Sequence, residues 1–273
     1  MAKIIRIVAV AVAVVGCSLF TAEVARAQQA TLDEAQRLYF SGRFDAAAEL
    51  ALTVRSNEID QLAASELRSS ALLLQIRRAF GEPKDKEAAL KQCASCEPLT
   101  AAFMAEIKKG QALARARLAA DPTDEAARFY LGKLDLNYVW LQLGTFGRKT
   151  GWGEYWEARK SLDAVLEANP DHIRARVSRA WIDYIVDTKL PRGTKWLLGG
   201  GNKKRGLEIV KAAAHTETGF FVQAEANFAL LDMQKREKQI PAAVATARAL
   251  QRDFPDNEDL RKFLETTHTT ALR

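Results

Sequence analysis

Gly153-Glu154-Tyr155-Trp156-Glu157-Ala158, with Pro170 twelve residues beyond Ala158, is the stretch that decides the fold. The glycine allows a tight turn, the aromatic packs inward, and the alanine lets a neighbouring helix come close. Gly42-Arg43-Phe44-Asp45-Ala46-Ala47 has the same order of small, aromatic and small residues. Ala243 and Pro255 repeat the spacing of twelve. Leu131-Gly132 lies nine residues after Pro122, where the first helix of a pair needs a close approach. Such a pattern builds antiparallel helix pairs, each burying its apolar side on the next.

The rest of the chain agrees. Alanine and leucine recur at helical spacing almost throughout, and alternating β-branched runs are scarce. Thr31-Leu32-Asp33-Glu34 fits a capping box. Pro122, Pro170 and Pro255 each end a helix and suit the first turn of the next. The expected helices are 31–41, 43–54, 58–79, 86–92, 99–120, 124–143, 153–168, 171–187, 203–215, 219–235, 240–253 and 257–267. The fold class is therefore all-α, made of stacked antiparallel helical hairpins.

These residues resemble the tetratricopeptide repeat family. Gly42-x-Phe44-x-x-Ala47, Gly153-x-Tyr155-x-x-Ala158 with Pro170, and Ala243 with Pro255 match its second-helix pattern. Leu131-Gly132 matches the first-helix pattern. The three prolines are spaced 48 and 85 residues apart, away from the family period of about 34, so the repeats are divergent and carry insertions. The resemblance implies a right-handed α-solenoid whose concave face holds a protein, a peptide or a small ligand.

The first 27 residues read as a secretory signal peptide. Lys3 and Arg6 form a basic start, Ile7 to Phe20 is largely apolar, and Ala25-Arg26-Ala27 supplies small residues for cleavage after Ala27. The expectation is a periplasmic or secreted protein, with a helical-repeat domain over 28–273. Val14-Val15-Gly16-Cys17 also resembles a lipobox, so a lipid anchor on Cys17 is the rival route. No later segment is apolar enough to span a membrane. Of the chain's 40 basic and 34 acidic residues, cleavage removes Lys3, Arg6, Arg26 and Glu23, leaving 37 and 33, a net +4. So mild and dispersed a surplus does not argue for a nucleic-acid partner, and none is expected.

Four features compete as sites. Cys93-Ala94-Ser95-Cys96 reads as a small structural disulfide in an exported chain, with thiol-redox chemistry as the rival. Zinc would need two further ligands, so no metal and no cofactor is expected. All five tryptophans, Trp140, Trp152, Trp156, Trp181 and Trp196, fall within 57 residues. Core packing explains aromatics in a helical array. Trp140, Trp152, Trp181 and Trp196 nevertheless form the candidate surface for a partner or a small apolar ligand. The insertion near 188–202 is expected to fold over the array with Trp196, Leu197 and Leu198 packed down. Its glycines lack phosphate-loop spacing. His172 reads as an exposed first-turn residue, and no catalytic constellation is apparent among the scattered histidines.

The sequence thus predicts a non-enzymatic exported scaffold or adaptor that binds a protein or peptide. A small-ligand-binding helical component of a solute transporter and a thiol-redox protein are the alternatives.

Overall fold

The protein, a computed structural model, is described at residues 31–55, 60–189 and 195–271, with side chains to residue 267. The expected signal peptide (1–27), Cys17 and the segment 190–194 lie outside the described residues. Among the described residues there are twelve α-helices and no strand. They are α1 (31–40), α2 (Phe44–Val54), α3 (Gln61–Phe80), α4 (Lys86–Gln92), α5 (Cys96–Ala120), α6 (Glu125–Val139), α7 (Trp152–Ala168), α8 (Ile173–Lys189), α9 (Lys203–Ala214), α10 (Phe220–Arg236), α11 (Ile240–Asp253) and α12 (Glu258–Ala271). A π-helical turn, Trp140–Thr145, follows α6, and a 3-10 turn, Lys195–Leu198, precedes α9.

Local chemistry sets the boundaries. Asp124 accepts a hydrogen bond from Ala127 N at 2.8 Å, Asn202 one from Arg205 N at 2.9 Å, and Asn257 one from Leu260 N at 3.0 Å. Each satisfies a first-turn donor. His172 does the same with its ring, since Nδ1 accepts from Ala175 N at 3.1 Å. It is half-buried against the Phe129 ring at 4.6 Å, not the exposed residue expected, and burial lowers its pKa. α5 starts three residues before the expected 99, because Pro98 sits in its first turn, where a missing N–H costs nothing. The helix expected to run to 143 keeps α-geometry only to Val139. Phe146 N then bonds Leu141 O at 2.9 Å, five residues back.

The hairpins are α1/α2, α3/α5, α6/α7, α8/α9 and α10/α11, with α12 last. Gly132 permits one close approach. A Cβ there would stand 3.1 Å from Leu162 Cγ and 3.3 Å from the Ala158 carbonyl. The pairing expected of Leu131-Gly132 with the helix carrying Ala158 is thus present. Gly206 repeats the device, with the Ala180 carbonyl 2.8 Å from the position of a Cβ. Successive apolar clusters knit the array together. Phe129, Leu162 and Ile182 join α6, α7 and α8, while Tyr184, Val210 and Leu230 join α8, α9 and α10.

The last cluster joins the two ends. Phe40 of α1 stacks on Phe228 at 5.5 Å and Phe221 at 6.2 Å, both on α10, and meets Phe254 at 5.6 Å. Ala243, Leu250 and Leu260 complete this core. Asn257 Nδ2 donates to the Phe40 carbonyl at 2.7 Å. Arg78 donates to the Gly42 carbonyl at 2.9 Å and pairs with Asp259 at 2.6 Å. The solenoid therefore curls until its first helix packs on its last repeat, and α1, α3, α6, α8 and α10 face a common centre.

Candidate functional site

That centre is occupied by charge. Lys133 Nζ lies 2.6 Å from Glu225 and 3.6 Å from Glu66. Arg174 Nη2 lies 3.1 Å from Glu66, its Nε lies 2.5 Å from Glu225, and its Nη1 donates to Tyr130 OH at 3.4 Å. Four inner helices, α3, α6, α8 and α10, thus meet through two carboxylates and two cations. The network continues through Ser70, whose hydroxyl donates to Glu66 Oε1 at 2.9 Å. Asn137 donates to Ser69 and Ser70, both at 2.9 Å.

Burial alone would raise the pKa of Glu225, but Arg174 and Lys133 beside it outweigh burial and hold it down at about 2. Burial opposes the charge on Lys133 and Arg174 as well. The two glutamates overcome it and raise both pKa values. Burial, with Glu66 and Glu225 nearby, raises the pKa of the Tyr39 phenol. The side chains of Lys133, Arg174 and Glu225 remain 16%, 18% and 20% exposed. Their charges cancel. This level of the inner face ties helices together and offers a ligand no surplus charge.

The aromatic level lies above it. Trp140 is seven residues beyond Lys133 on the α6 path, and Trp181 seven beyond Arg174 on α8, two helical turns or roughly 10 Å along the axis. The two indoles meet edge to face at 6.3 Å, and the Arg236 guanidinium lies 5.6 Å from the Trp181 ring. Both indoles are half-buried. Two of the four expected tryptophans therefore come together, on the inner helices.

Trp152 and Trp196 do not join them. Trp152 starts α7 and packs on Tyr155, 6.4 Å between centroids, while remaining 42% exposed. Trp196 is 73% exposed and Leu197 55% exposed, against the expectation that the insertion folds its apolar side chains inward. The insertion is held by its backbone instead. The Leu198 carbonyl accepts from Tyr155 OH at 2.7 Å and Arg159 Nη1 at 3.1 Å, and the Gly199 carbonyl accepts from Arg159 Nη2 at 2.6 Å. Only Leu198 of the three packs on the α6–α8 core. Trp156, absent from the expected surface, is 43% exposed beside Tyr155 at 5.2 Å. Its place four residues after Trp152 on one helix was the available signal.

A cavity of about 390 Å³ opens at the starts of α6, α8 and α10. Phe129, Tyr130 and Val222 give it apolar walls, with His172 and Arg174 as polar groups. A larger hollow of about 770 Å³ lies between α4 and the segment after the π-turn. Neither is lined by a tryptophan. Cys93 and Cys96 stand with Cα atoms 5.3 Å apart and their sulfurs at bonding distance. Cys96, in the first turn of α5, is fully buried in the core shared by α2, α3 and α5. Deeper in the array, Asp135 is fully buried and accepts from Gln111 Nε2 at 2.6 Å. Burial, then the charge of Glu157, pushes its pKa up to about 8.

No family model matches the chain, and no curated protein matches it. A solved structure similar to it is that of TTC0263, a thermophilic TPR protein of Thermus thermophilus. The identity is 17% and the TM-score 0.48, with 88% of this chain and 97% of that chain covered. The all-α helical-repeat architecture stands on the packing described above.

Proposed function

We propose that the protein is an exported helical-repeat scaffold that binds a protein or peptide partner on its inner face, at the level of Trp140 and Trp181. The observation that supports this reading is the partly buried indole pair with Arg236, placed over a charge-neutral floor. Rigid aromatics bury large area at small entropic cost, and a neutral floor neither attracts nor repels a charged segment. A weakly charged, aromatic or aliphatic peptide segment suits such a site. In this reading the Cys93–Cys96 pair is a structural disulfide, residues 1–27 direct export, and the chain binds without catalysing. Intact-mass measurement distinguishes cleavage after Ala27 from lipidation at Cys17.

The test is a photo-crosslinking amino acid at position 181 and, separately, at position 156, in living cells. Discrete adducts from 181 are expected. Adducts from 156 alone would overturn the inner-face assignment. A second reading, a small apolar ligand, draws on the cavity of about 390 Å³ beside Phe129 and Tyr130. A co-purifying small molecule lost on Tyr130→Ala would favour it.

A further inference from the structure

The outer side of the array carries an apolar face that the inner-face site does not use. Trp152, Trp156, Trp196 and Leu197 are 42%, 43%, 73% and 55% exposed. They are adjacent. On α7, residues 152, 155, 156, 159 and 160 share one broad face at 100° per residue. Tyr155 and Arg159 grip the backbone of Leu198 and Gly199. The turn that carries Trp196 and Leu197 is thereby held to the side of α7 that bears Tyr155 and Arg159, next to Trp152 and Trp156 in its first turns. None of the four residues lines either cavity.

Its surroundings are positive. Lys160, Lys189, Lys204 and Arg205 are exposed. Several carboxylates on these elements are paired: Glu157 with Arg115, Asp163 with Arg179, Asp187 with Lys195 and Glu237 with Lys203, while Glu154 and Glu208 stand against the exposed cations. Four exposed cations against Glu154 and Glu208 leave a positive surplus on the elements that carry the exposed indoles. Tryptophan favours the headgroup boundary of a bilayer, where its ring is buried and its N–H stays hydrated. Lysine and arginine near the surface add attraction to anionic headgroups.

We propose that the face formed by Trp152, Trp156, Trp196 and Leu197 docks on an anionic lipid surface. The test compares the purified protein with Trp196→Ser/Leu197→Ser in co-sedimentation with vesicles. One set holds phosphatidylethanolamine and phosphatidylglycerol, the other phosphatidylcholine alone. Both proteins share the same N-terminus, so their difference reads Trp196 and Leu197. Preference for the anionic vesicles, weakened by salt, is expected, with a roughly tenfold loss of partitioning in the double variant. Brominated lipids should quench tryptophan fluorescence, and Trp196→Phe should remove part of that quenching. Circular dichroism checks that the variants keep their helix content. Equal binding by wild type and double variant, or no preference for anionic vesicles, overturns the proposal. A dimer seen by light scattering without lipid, and lost in the double variant, overturns it in favour of an interface between copies.

Discussion

Replacing Glu225 by glutamine tests whether the central ion network stabilises the closed array. Glu225 holds Lys133 at 2.6 Å and Arg174 at 2.5 Å, and its pKa lies at about 2 against an ordinary 4.5. That difference, at about 1.4 kcal/mol per unit, corresponds to about 3 kcal/mol of stability from the ionised carboxylate. A depressed folded-state pKa gives stability that is present above the unfolded value and lost as pH falls through the folded one. The contribution is therefore full above about pH 5 and disappears towards pH 2. Glu225→Gln keeps the shape of the side chain and removes the charge, leaving Lys133 and Arg174 to share Glu66. Urea unfolding followed by circular dichroism should show the variant less stable by about 3 kcal/mol at pH 7. The gap should narrow steadily below pH 5. A variant within about 0.5 kcal/mol of wild type at pH 7, or a gap that ignores pH, would refute the reasoning.

Asp135→Asn should act in the opposite direction. The raised pKa means the wild type loses stability as pH climbs from about 4 through 8, while asparagine still accepts from Gln111. The variant should melt higher at pH 9 and near wild type at pH 4. Phe40→Ala removes the aromatic that joins α1 to α10, and should cost about 3–5 kcal/mol. It should also enlarge the radius of gyration in small-angle scattering, whereas a mere cavity would leave that radius unchanged. Gly132→Val drives a Cβ towards Leu162 and the Ala158 carbonyl, and should lower stability by about 1–3 kcal/mol in the same urea assay.

The hairpins were legible because their determinants are local. Gly132, Ala158 and the turn at Pro170 act over a few residues, and the close approach and the helix end sit where the spacing placed them. Ring closure was not legible. Asn257 and Phe40 are 217 positions apart, and Arg78 and Asp259 are 181 apart, with no local pattern to announce either pair. Glu66, Lys133, Arg174 and Glu225 each look, in sequence, like members of solvated helix faces. Only the curvature of the array points them at one another. The tryptophans mislead for a related reason. Closeness in sequence put five of them within a short span, but the π-turn after α6 and helix α8 bring Trp140 and Trp181 together, while α7 and the insertion leave Trp152, Trp156 and Trp196 exposed. The insertion departs from its expected packing because hydrogen bonds to the Leu198 and Gly199 carbonyls hold it down, which leaves Trp196 and Leu197 exposed.

An open stack of repeats behaves like a spring. Each unit feels only its neighbours, both ends fray, and the coil can stretch to admit guests of different size. The contact of Phe40 and Asn257 across the two ends turns this spring into a hoop. A hoop has no terminal unit from which to unravel, so the loss of any one hairpin must break the circle before the others can follow. Its bore is also fixed. A guest wider than the hollow cannot be accommodated by gradual uncoiling, and must first part the seam between α1 and α10.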